Sequence, residues 1–274
     1  MSVDHLPIVS IITVSFNAST TIERTICSVL EQNYPAINYI IIDGGSTDDT
    51  VDIIRRYSAK IDHWISERDQ GISHAFNKGL ELAAGELITF VNADDWLSSD
   101  QISNAVEALN THRDASFVYG DLICYRDGRP LYRNIGRSEY RSTIHRRIDY
   151  LNHPTLVAKK FLFREVGGFD LTYKRAMDFE WLQRVDKFGY FGVYSDRIVG
   201  NFSLGGVSHT ELFQALSEVR QASILHHGRP VGAWVYYAIC CSKAAIRIVV
   251  ERIISPRLAC KLREKLNSAV CYIE

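Results

Sequence analysis

The chain has 274 residues, of which 46% are hydrophobic and 23% are charged, and its formal net charge is −1. This composition is that of a soluble globular protein with room for one large or two small domains, and the near-neutral charge argues against nucleic acid as the main partner. The opening MSVDHLPIVS lacks the basic and apolar regions of a signal peptide, and the six cysteines form no CxxC pair. We therefore expect a cytoplasmic protein.

Strands and helices alternate through the first 121 residues. Apolar β-branched runs predict strands at 8–16, 39–43, 63–66, 87–91 and 116–121. The apolar spacing between them predicts helices at 20–31, 50–57, 71–83 and 101–109. This order predicts the α/β class, with a Rossmann-like, mostly parallel sheet that is flanked by helices and has right-handed crossovers.

Three of the predicted strands end in aspartates. Asp43 ends the second strand, Asp94 and Asp95 follow the run at 87–91, and Asp121 ends the strand at 116–121. Because ligands bind at the carboxyl ends of strands in such sheets, we expect these acids to share one edge. Neighbouring carboxylates repel each other, and a hard divalent cation such as Mg²⁺ or Mn²⁺ is their usual partner.

The acids match the needs of a bound nucleoside diphosphate, which requires acceptors for the base and the ribose and a cation for the diphosphate. Asp43, Asp94 and Asp95 fill these three roles in that order. Structural alternatives stay open: Asp94 or Asp95 caps a helix, Asp43 caps a turn, and Asp121 pairs with a nearby arginine.

The alternation breaks after Asp121. Residues 125–147 carry seven arginines against two acids, and we expect a hairpin or loop excursion there. It is either a solvated surface or a seat for an anionic acceptor or lipid headgroup. Further elements are predicted as strands at 156–158 and 198–204 and as helices at 160–166, 178–188 and 211–227.

The predicted helix at 231–254 is unusually apolar, with Lys243, Arg247 and Glu251 on one stripe. Residues 228–274 carry eight lysines and arginines against three acids. These features favour a helix in the interface of an anionic membrane over a helix that closes the main domain. We expect a catalytic domain at 1–210 and a helical extension at 211–274.

Four segments resemble a known family. IITVSFNAS, IIDGGSTDDT, ERDQGISHAFNKGLELAAGELITFVNADDWL and GGFD…AMDFEWLQR occur in this order and resemble the family-2 inverting glycosyltransferases of the GT-A fold, over roughly the first 205 residues. The resemblance implies a nucleotide-sugar-binding half at 1–121 and an acceptor-binding half at 122–210. It also implies a Mn²⁺- or Mg²⁺-dependent enzyme that transfers a sugar from a nucleotide-diphosphate sugar, expected to be a UDP-sugar.

The resemblance also assigns donor-site residues. Asp43 matches the acid that reads the base, and Asp69 matches a position near the nucleotide. Asp94 and Asp95 match the DXD-type pair, with Asp95 as the metal ligand. Asn77 lies in the helix that supports the donor site, where a purely structural role is equally expected.

Asp178 matches the catalytic base of the family. Inverting displacement needs one carboxylate on the face opposite the leaving group, where it accepts the proton of the acceptor hydroxyl. The alternative is that Asp178 is only a helix N-cap. Met177 stands where many relatives have Glu, and Asn92 stands where many have Asp, which leaves the full metal coordination open.

The remaining candidates have weaker support. His209 completes the metal shell or is a surface histidine, and His153 and Asp121 are candidates for the acceptor pocket. The Gln-x-x-Arg-Trp signature of processive synthases is missing, so one sugar is expected per acceptor. The expected acceptor is a glycan or lipid-linked saccharide in bacterial surface polysaccharide synthesis, with the enzyme peripheral to the inner face of the cell membrane.

Other functions are compatible with the same residues. A transferase that uses a polyprenyl phosphate as acceptor shares the basic excursion and the tail. A nucleotidyltransferase or a sugar-nucleotide hydrolase also uses acids at strand ends together with Mg²⁺. A nucleotide-sugar-binding subunit without catalytic activity is a third class.

Overall fold

The computed structural model describes residues 6–144, 151–204, 212–228, 230–253 and 270–272, and the statements below concern these residues. The strands are β1 (Val9–Ser15), β2 (Ile37–Asp43), β3 (His63–Ser66), β4 (Leu87–Asn92), β5 (Trp96–Leu97), β6 (Phe117–Arg126), β7 (Arg129–Asn134), β8 (Val157–Lys159), β9 (Gly192–Ser203) and β10 (Val270–Tyr272). The helices are α1 (Ile22–Leu30), α2 (Thr50–Arg56), α3 (Ile72–Leu82), α4 (Gln101–Thr111), α5 (Tyr140–Thr143), α6 (Phe161–Glu165), α7 (Met177–Lys187), α8 (Leu212–His227) and α9 (Pro230–Ile253).

The first half of the chain forms the parallel part of the sheet, in the order β4-β1-β2-β3. All seven residues of β1 are buried, because helices cover both faces of the sheet. Successive residues of β1 enter different cores: Ile11 packs in the cluster that holds Ile22 of α1, and Ile12 in the cluster that holds Phe76 of α3. The predicted α/β class with flanking helices is therefore confirmed.

The second half of the chain adds mixed pairing. The β6–β7 hairpin confirms the expected excursion, and it turns at Asp127 and Gly128, both with positive φ, as a tight hairpin requires. β8 lies antiparallel to β4 and β6, while β9 lies parallel to β6. The prediction that the strand ends at Asp121 is wrong, because pairing with β7 and β9 continues it to Arg126.

The two-residue strand β5 curls the sheet back over the end of β4. Between Asp95 and α4, which begins where the helix at 101–109 was predicted, Trp96 and Leu97 pair antiparallel with Asn201 and Gly200 of β9. This pairing carries the end of β9 to the acid pair that follows β4.

The C-terminal region contains more than helices. α8 packs on α7, α9 packs on α8, and β10 pairs with β7 at the edge of the sheet. The strand β10 departs from the all-helical extension that we predicted. In the ranges given above, no helix has both the length and the apolar character needed to cross a bilayer.

Candidate functional site

Asp95 lies at the tip of β4 with only 2% of its surface exposed. Its Oδ1 accepts a hydrogen bond from the backbone N–H of Ser203 at 3.0 Å, and its Oδ2 accepts one from the Asn92 side chain at 3.1 Å. Burial, together with the neighbouring charge of Asp94, raises the pKa of Asp95 well above its ordinary value. The curl of the sheet therefore fixes this carboxylate from two strands.

Asp94 is partly exposed beside it, and burial also raises the pKa of its carboxyl group. The Arg24 side chain donates to the Asp94 carbonyl oxygen at 2.9 Å, and its guanidinium lies 3.6 Å from the Trp96 ring centroid. Arg24 was missed in the sequence, since a lone arginine in the first turn of α1 gives no sign that it meets residue 94.

The acid pair fits a divalent cation. Burial raises the pKa of both carboxyl groups, and Arg24 supplies one positive charge against their two negative charges. The Asn92 Oδ1 atom is buried with no hydrogen-bond partner in the ranges given above. Carboxylate and amide oxygens are ligands that Mg²⁺ and Mn²⁺ prefer. Within the same ranges no cluster of three His, Cys, Asp or Glu side chains forms, and His209 lies outside them.

Asp43, at the end of β2, is completely buried. Its carboxylate accepts hydrogen bonds from Ser15 Oγ, Ser66 Oγ, Gly45 N and both the N–H and Oγ of Ser46. Five internal donors fill the acceptor capacity of a carboxylate. The structure therefore does not support the prediction that Asp43 reads the base, and it indicates that this side chain shapes the turn after β2.

Asp69 lies against the same turn. A Cβ atom built on Gly44 would lie 2.7 Å from Asp69 Oδ2, so the carboxylate fills the space that a side chain at position 44 would take. Asp69 Oδ1 accepts the N–H of Gly71 at 2.7 Å, and the residue is partly exposed. Of these two acids predicted to contact the nucleotide or lie near it, Asp69 is the one within reach of solvent.

Phe16 follows β1 directly and is 64% exposed. The next residue, Asn17, has a φ of 50°, and its Oδ1 accepts the N–H of Thr47 at 2.8 Å, which ties the loop after β1 to the loop after β2. A large aromatic ring is thus held in solvent beside Asp43 and its turn. Sequence reasoning missed it, although an aromatic residue at the carboxyl end of a central strand was a usable signal.

Asp178 lies in the first turn of α7, and 23% of its side chain is exposed. Its Oδ1 accepts the N–H of Phe179 at 2.8 Å, and its Oδ2 is 4.0 Å from His153 Nδ1. The His153 ring stacks on Phe90 of β4 with centroids 6.1 Å apart. Phe90 lies two residues before the end of β4, and Asp94 follows that end by two residues, so one histidine connects Asp178 to the strand that leads to the acid pair.

His153 itself is buried. Burial lowers its pKa, and the charge of Asp178 opposes this effect without reversing it. The imidazole is therefore neutral at neutral pH, and it does not cancel the charge of the Asp178 carboxylate.

The segment before Asp178 is clamped to α3. The Asn77 amide donates to the Phe169 carbonyl oxygen at 2.8 Å and accepts the Phe169 N–H at 2.8 Å, while Ser73 Oγ donates to Tyr173 O. A Cβ atom on Gly168 would lie 2.5 Å from Asn77 Oδ1, which explains the glycine there. This geometry supports the structural role for Asn77, which is to hold the backbone of Phe169, and does not support donor binding.

Asp121 is occupied by internal partners. Arg133 pairs with its Oδ2 at 2.7 Å, and Oδ1 accepts from Gly136 N at 2.8 Å and from the Tyr194 hydroxyl at 2.9 Å. The carboxylate is nearly fully buried. This arrangement matches the arginine-paired alternative and does not support a place for Asp121 in the acceptor pocket.

Comparison with known sequences decides the family. The profile described as "Glycosyl transferase family 2" matches residues 10–166, which is more than half of the chain and includes the acid pair, β2 to β8 and all of β1 except its first residue. The chain belongs to glycosyl transferase family 2. It is a glycosyltransferase, and Asp178 and the C-terminal helices lie beyond the matched segment.

Two relatives carry glycosyltransferase names. The "Uncharacterized glycosyltransferase Rv1514c" of Mycobacterium tuberculosis (strain ATCC 25618 / H37Rv) is 30% identical over 236 residues, which cover 82% of this chain and 87% of the relative. The "Putative teichuronic acid biosynthesis glycosyltransferase TuaG" of Bacillus subtilis (strain 168) is 38% identical over 137 residues, covering 48% and 54% respectively.

Solved structures share the fold of this glycosyltransferase. "Mannosyltransferase PcManGT from Pyrobaculum calidifontis in complex with GDP-Man and Mn2+" superposes with a TM-score of 0.65 at 19% identity, over 96% of this chain and 80% of that one. "Crystal structure of S. aureus TarS 1-349 in complex with UDP-GlcNAc" superposes with a TM-score of 0.61 at 17% identity, over 85% and 71%. The predicted GT-A architecture is confirmed by this likeness.

Proposed function

We propose that this glycosyltransferase moves one sugar, with inversion at the anomeric carbon, from a nucleotide-diphosphate sugar to a hydroxyl group of a glycan or lipid-linked saccharide. The observation that carries the proposal is the connection of Asp178, through His153, to the strand that Asp94 and Asp95 follow. A carboxylate that can act as a base and an acid pair that can hold a cation are the two parts that metal-assisted inverting transfer uses.

The donor base is assigned to the edge formed by the ends of β1 to β3. The exposed Phe16 ring offers a stacking surface, and Asp69 Oδ2 offers an acceptor for a base N–H. Asp94, partly exposed, is assigned to the ribose hydroxyls and to the cation. The proposed donor is a UDP-sugar, in line with the UDP-GlcNAc in the TarS structure. Because the PcManGT structure contains GDP-Man, a GDP-sugar is the alternative donor to compare with it.

Asp95 and Asp94, with the unpartnered Asn92 Oδ1, are the residues proposed to hold Mn²⁺ or Mg²⁺, in line with the Mn²⁺ of the PcManGT complex. The cation, when bound, offsets the charge that develops on the leaving diphosphate. Arg24 adds a fixed positive charge beside both acids. His209 lies outside the described residues, and its proposed role in the metal shell stays a prediction.

Asp178 is proposed as the general base that accepts the proton of the acceptor hydroxyl. Its neighbour His153 is neutral, so the histidine places no positive charge beside the carboxylate. We keep the proposed division into a nucleotide-sugar-binding half at 1–121 and an acceptor-binding half at 122–210, because the base belongs to the second half.

The proposed setting is bacterial surface polysaccharide synthesis at the inner face of the cell membrane. The name of TuaG refers to teichuronic acid biosynthesis. α9 exposes Val231, Trp234, Val235 and Ile239, an apolar surface that suits peripheral contact with lipid. Deleting residues 231–253 should abolish sedimentation with vesicles of anionic phospholipid, and unchanged sedimentation would refute this contact.

The acceptor question has a direct experiment. Purified enzyme with Mn²⁺ is given UDP-sugars or GDP-sugars, and either polyprenyl phosphate or a polyprenyl-diphosphate-linked sugar. We expect release of nucleoside diphosphate only with the saccharide acceptor, and the product should have the opposite anomeric configuration to the donor. Transfer to bare polyprenyl phosphate would establish the alternative enzyme, and equal release without any acceptor would establish a hydrolase.

A further inference from the structure

A buried glutamate on α8 holds the segment that leads into Asp178. Glu218 is 6% exposed, and its Oε2 accepts the backbone N–H groups of Lys174 at 3.1 Å, Arg175 at 2.7 Å and Ala176 at 2.9 Å. Its Oε1 accepts from Gln214 at 3.1 Å. Three backbone donors on one carboxylate oxygen form a fixed clamp, because breaking it would leave Oε2 of a buried carboxylate without these three hydrogen bonds.

The clamp lies where α7 lacks a cap of its own. Ala176 is the N-cap residue of α7, and alanine has no side-chain oxygen that accepts a helix N–H. Glu218 accepts the N–H of this N-cap residue and so places a carboxylate from α8 beside the start of α7. Asp178 comes two residues later, in the same first turn.

A second contact holds α7 on the other side of Asp178. His226, near the end of α8, lies 2.9 Å from Glu180 Oε1, and Glu180 also binds Arg184 at 2.8 Å. Although burial opposes ionisation of Glu180, the hydrogen bonds from His226 and Arg184 lower its pKa. One helix thus grips the chain both just before and just after Asp178.

We propose that α8 is part of the catalytic machinery and that Glu218 is a positioning residue for Asp178. This inference depends on the proposed function, in which Asp178 is the base. The segment at 166–176 is held by α3 on one side and by Glu218 on the other, so the position of Asp178 relative to the donor is set by both contacts. A displacement of about 1 Å of a reacting group costs on the order of 100-fold in rate.

The test compares turnover with donor binding in the full-length chain. Glu218→Ala should lower kcat about 10- to 100-fold. The Kd for the nucleoside diphosphate, measured with Mn²⁺ by calorimetry, should stay within about twofold, because the donor edge is formed by β1 to β4. Glu218→Gln, which keeps one acceptor oxygen, should recover most of the lost turnover.

Glu107→Ala is the matched control. Glu107 is also a helical glutamate, and it pairs with Arg197 at 2.8 Å on the surface, away from α7. This variant should keep wild-type kcat. If Glu218→Ala does not fold, the kcat of Glu218→Asp is measured instead. Aspartate keeps the charge, but its side chain is shorter, so the segment at 174–176 must shift to keep the hydrogen bonds and kcat should again fall.

A double variant separates positioning from stability. If Glu218 acts through Asp178, then Asp178→Asn combined with Glu218→Ala should be no slower than Asp178→Asn alone. Wild-type turnover in folded Glu218→Ala or Glu218→Asp, or full additivity in the double variant, would overturn the inference. Wild-type turnover in Asp178→Asn alone would instead refute the proposed base.

Discussion

Replacement of Asp178 by asparagine tests the proposed chemistry with little change in structure. Asparagine keeps an oxygen that accepts the Phe179 N–H, so the hydrogen bond of 2.8 Å in the first turn of α7 is retained. The variant loses the favourable interaction of one charge with the helix N-terminus, about 0.3–1 kcal/mol. The side chain is 23% exposed, so no buried charge is left without a partner. We therefore expect a folded protein with nearly unchanged stability.

The effect on turnover should be much larger. Loss of a general base costs about 10²- to 10⁴-fold in rate, which corresponds to about 3–5 kcal/mol of transition-state stabilisation. Neutral His153 at 4.0 Å cannot replace the charge. The affinity for the donor diphosphate should not change, because Asp178 belongs to α7 and the donor edge belongs to β1 to β4.

The assay follows nucleoside diphosphate release at saturating donor and acceptor, with affinity for the diphosphate measured by calorimetry in the presence of Mn²⁺. Asp186→Asn is the control, since Asp186 lies on the same helix and its ion pair with Arg141 contributes about 0.2–1 kcal/mol to stability. Equal losses of affinity and turnover in Asp178→Asn would refute the role of a base that acts only in the chemical step. So would a rate within threefold of wild type.

Three further outcomes follow from the site and the sheet. Because the folded protein raises the pKa of Asp95, the unfolded chain loses that proton at lower pH, so stability without a cation should fall as pH rises above about 4. In thermal denaturation, Asp95→Asn should reduce this pH dependence of stability and should remove most of the stabilisation that Mn²⁺ gives. An unchanged stabilisation by Mn²⁺ would count against the cation site. Phe16→Ala should weaken UDP binding by about 1–3 kcal/mol in calorimetry, whereas Phe188→Ala, 56% exposed on the surface, should not, and equal effects would contradict base stacking. Gly120→Ala should cost at least about 1–3 kcal/mol in urea unfolding, since its Cβ would lie 1.9 Å from the Ile198 carbonyl oxygen, and an unchanged midpoint would show that this close approach is absent.

The sequence by itself determined the parallel half of the sheet. The β-branched runs, the apolar helix faces and the turns between them are local features, and right-handed crossovers then leave few possible arrangements. It also located Asp94 and Asp95 at the tip of a buried strand, because an apolar run that ends in two acids is visible without any distant contact.

The hydrogen-bond partners of each acid were decided only by the tertiary structure. Asp43 and Asp121 look alike in sequence to Asp69, since each follows or lies in a predicted strand region. Their difference lies in the serine, arginine and tyrosine donors that the fold brings within about 3 Å, and several of these come from distant strands. Asp43 and Asp121 are saturated with such bonds, whereas Asp69 is partly exposed and keeps acceptor capacity.

The contacts around the proposed base show the same limit. Asn77 and Phe169 are 92 residues apart, and Glu218 and Ala176 are 42 residues apart. Neither pair produces a local sequence pattern, because every residue except proline has a backbone N–H and the sequence therefore does not show which one is bound. The sequence therefore specified which groups are available for chemistry, and only the packing of α3, α7 and α8 decided which of them are held in place.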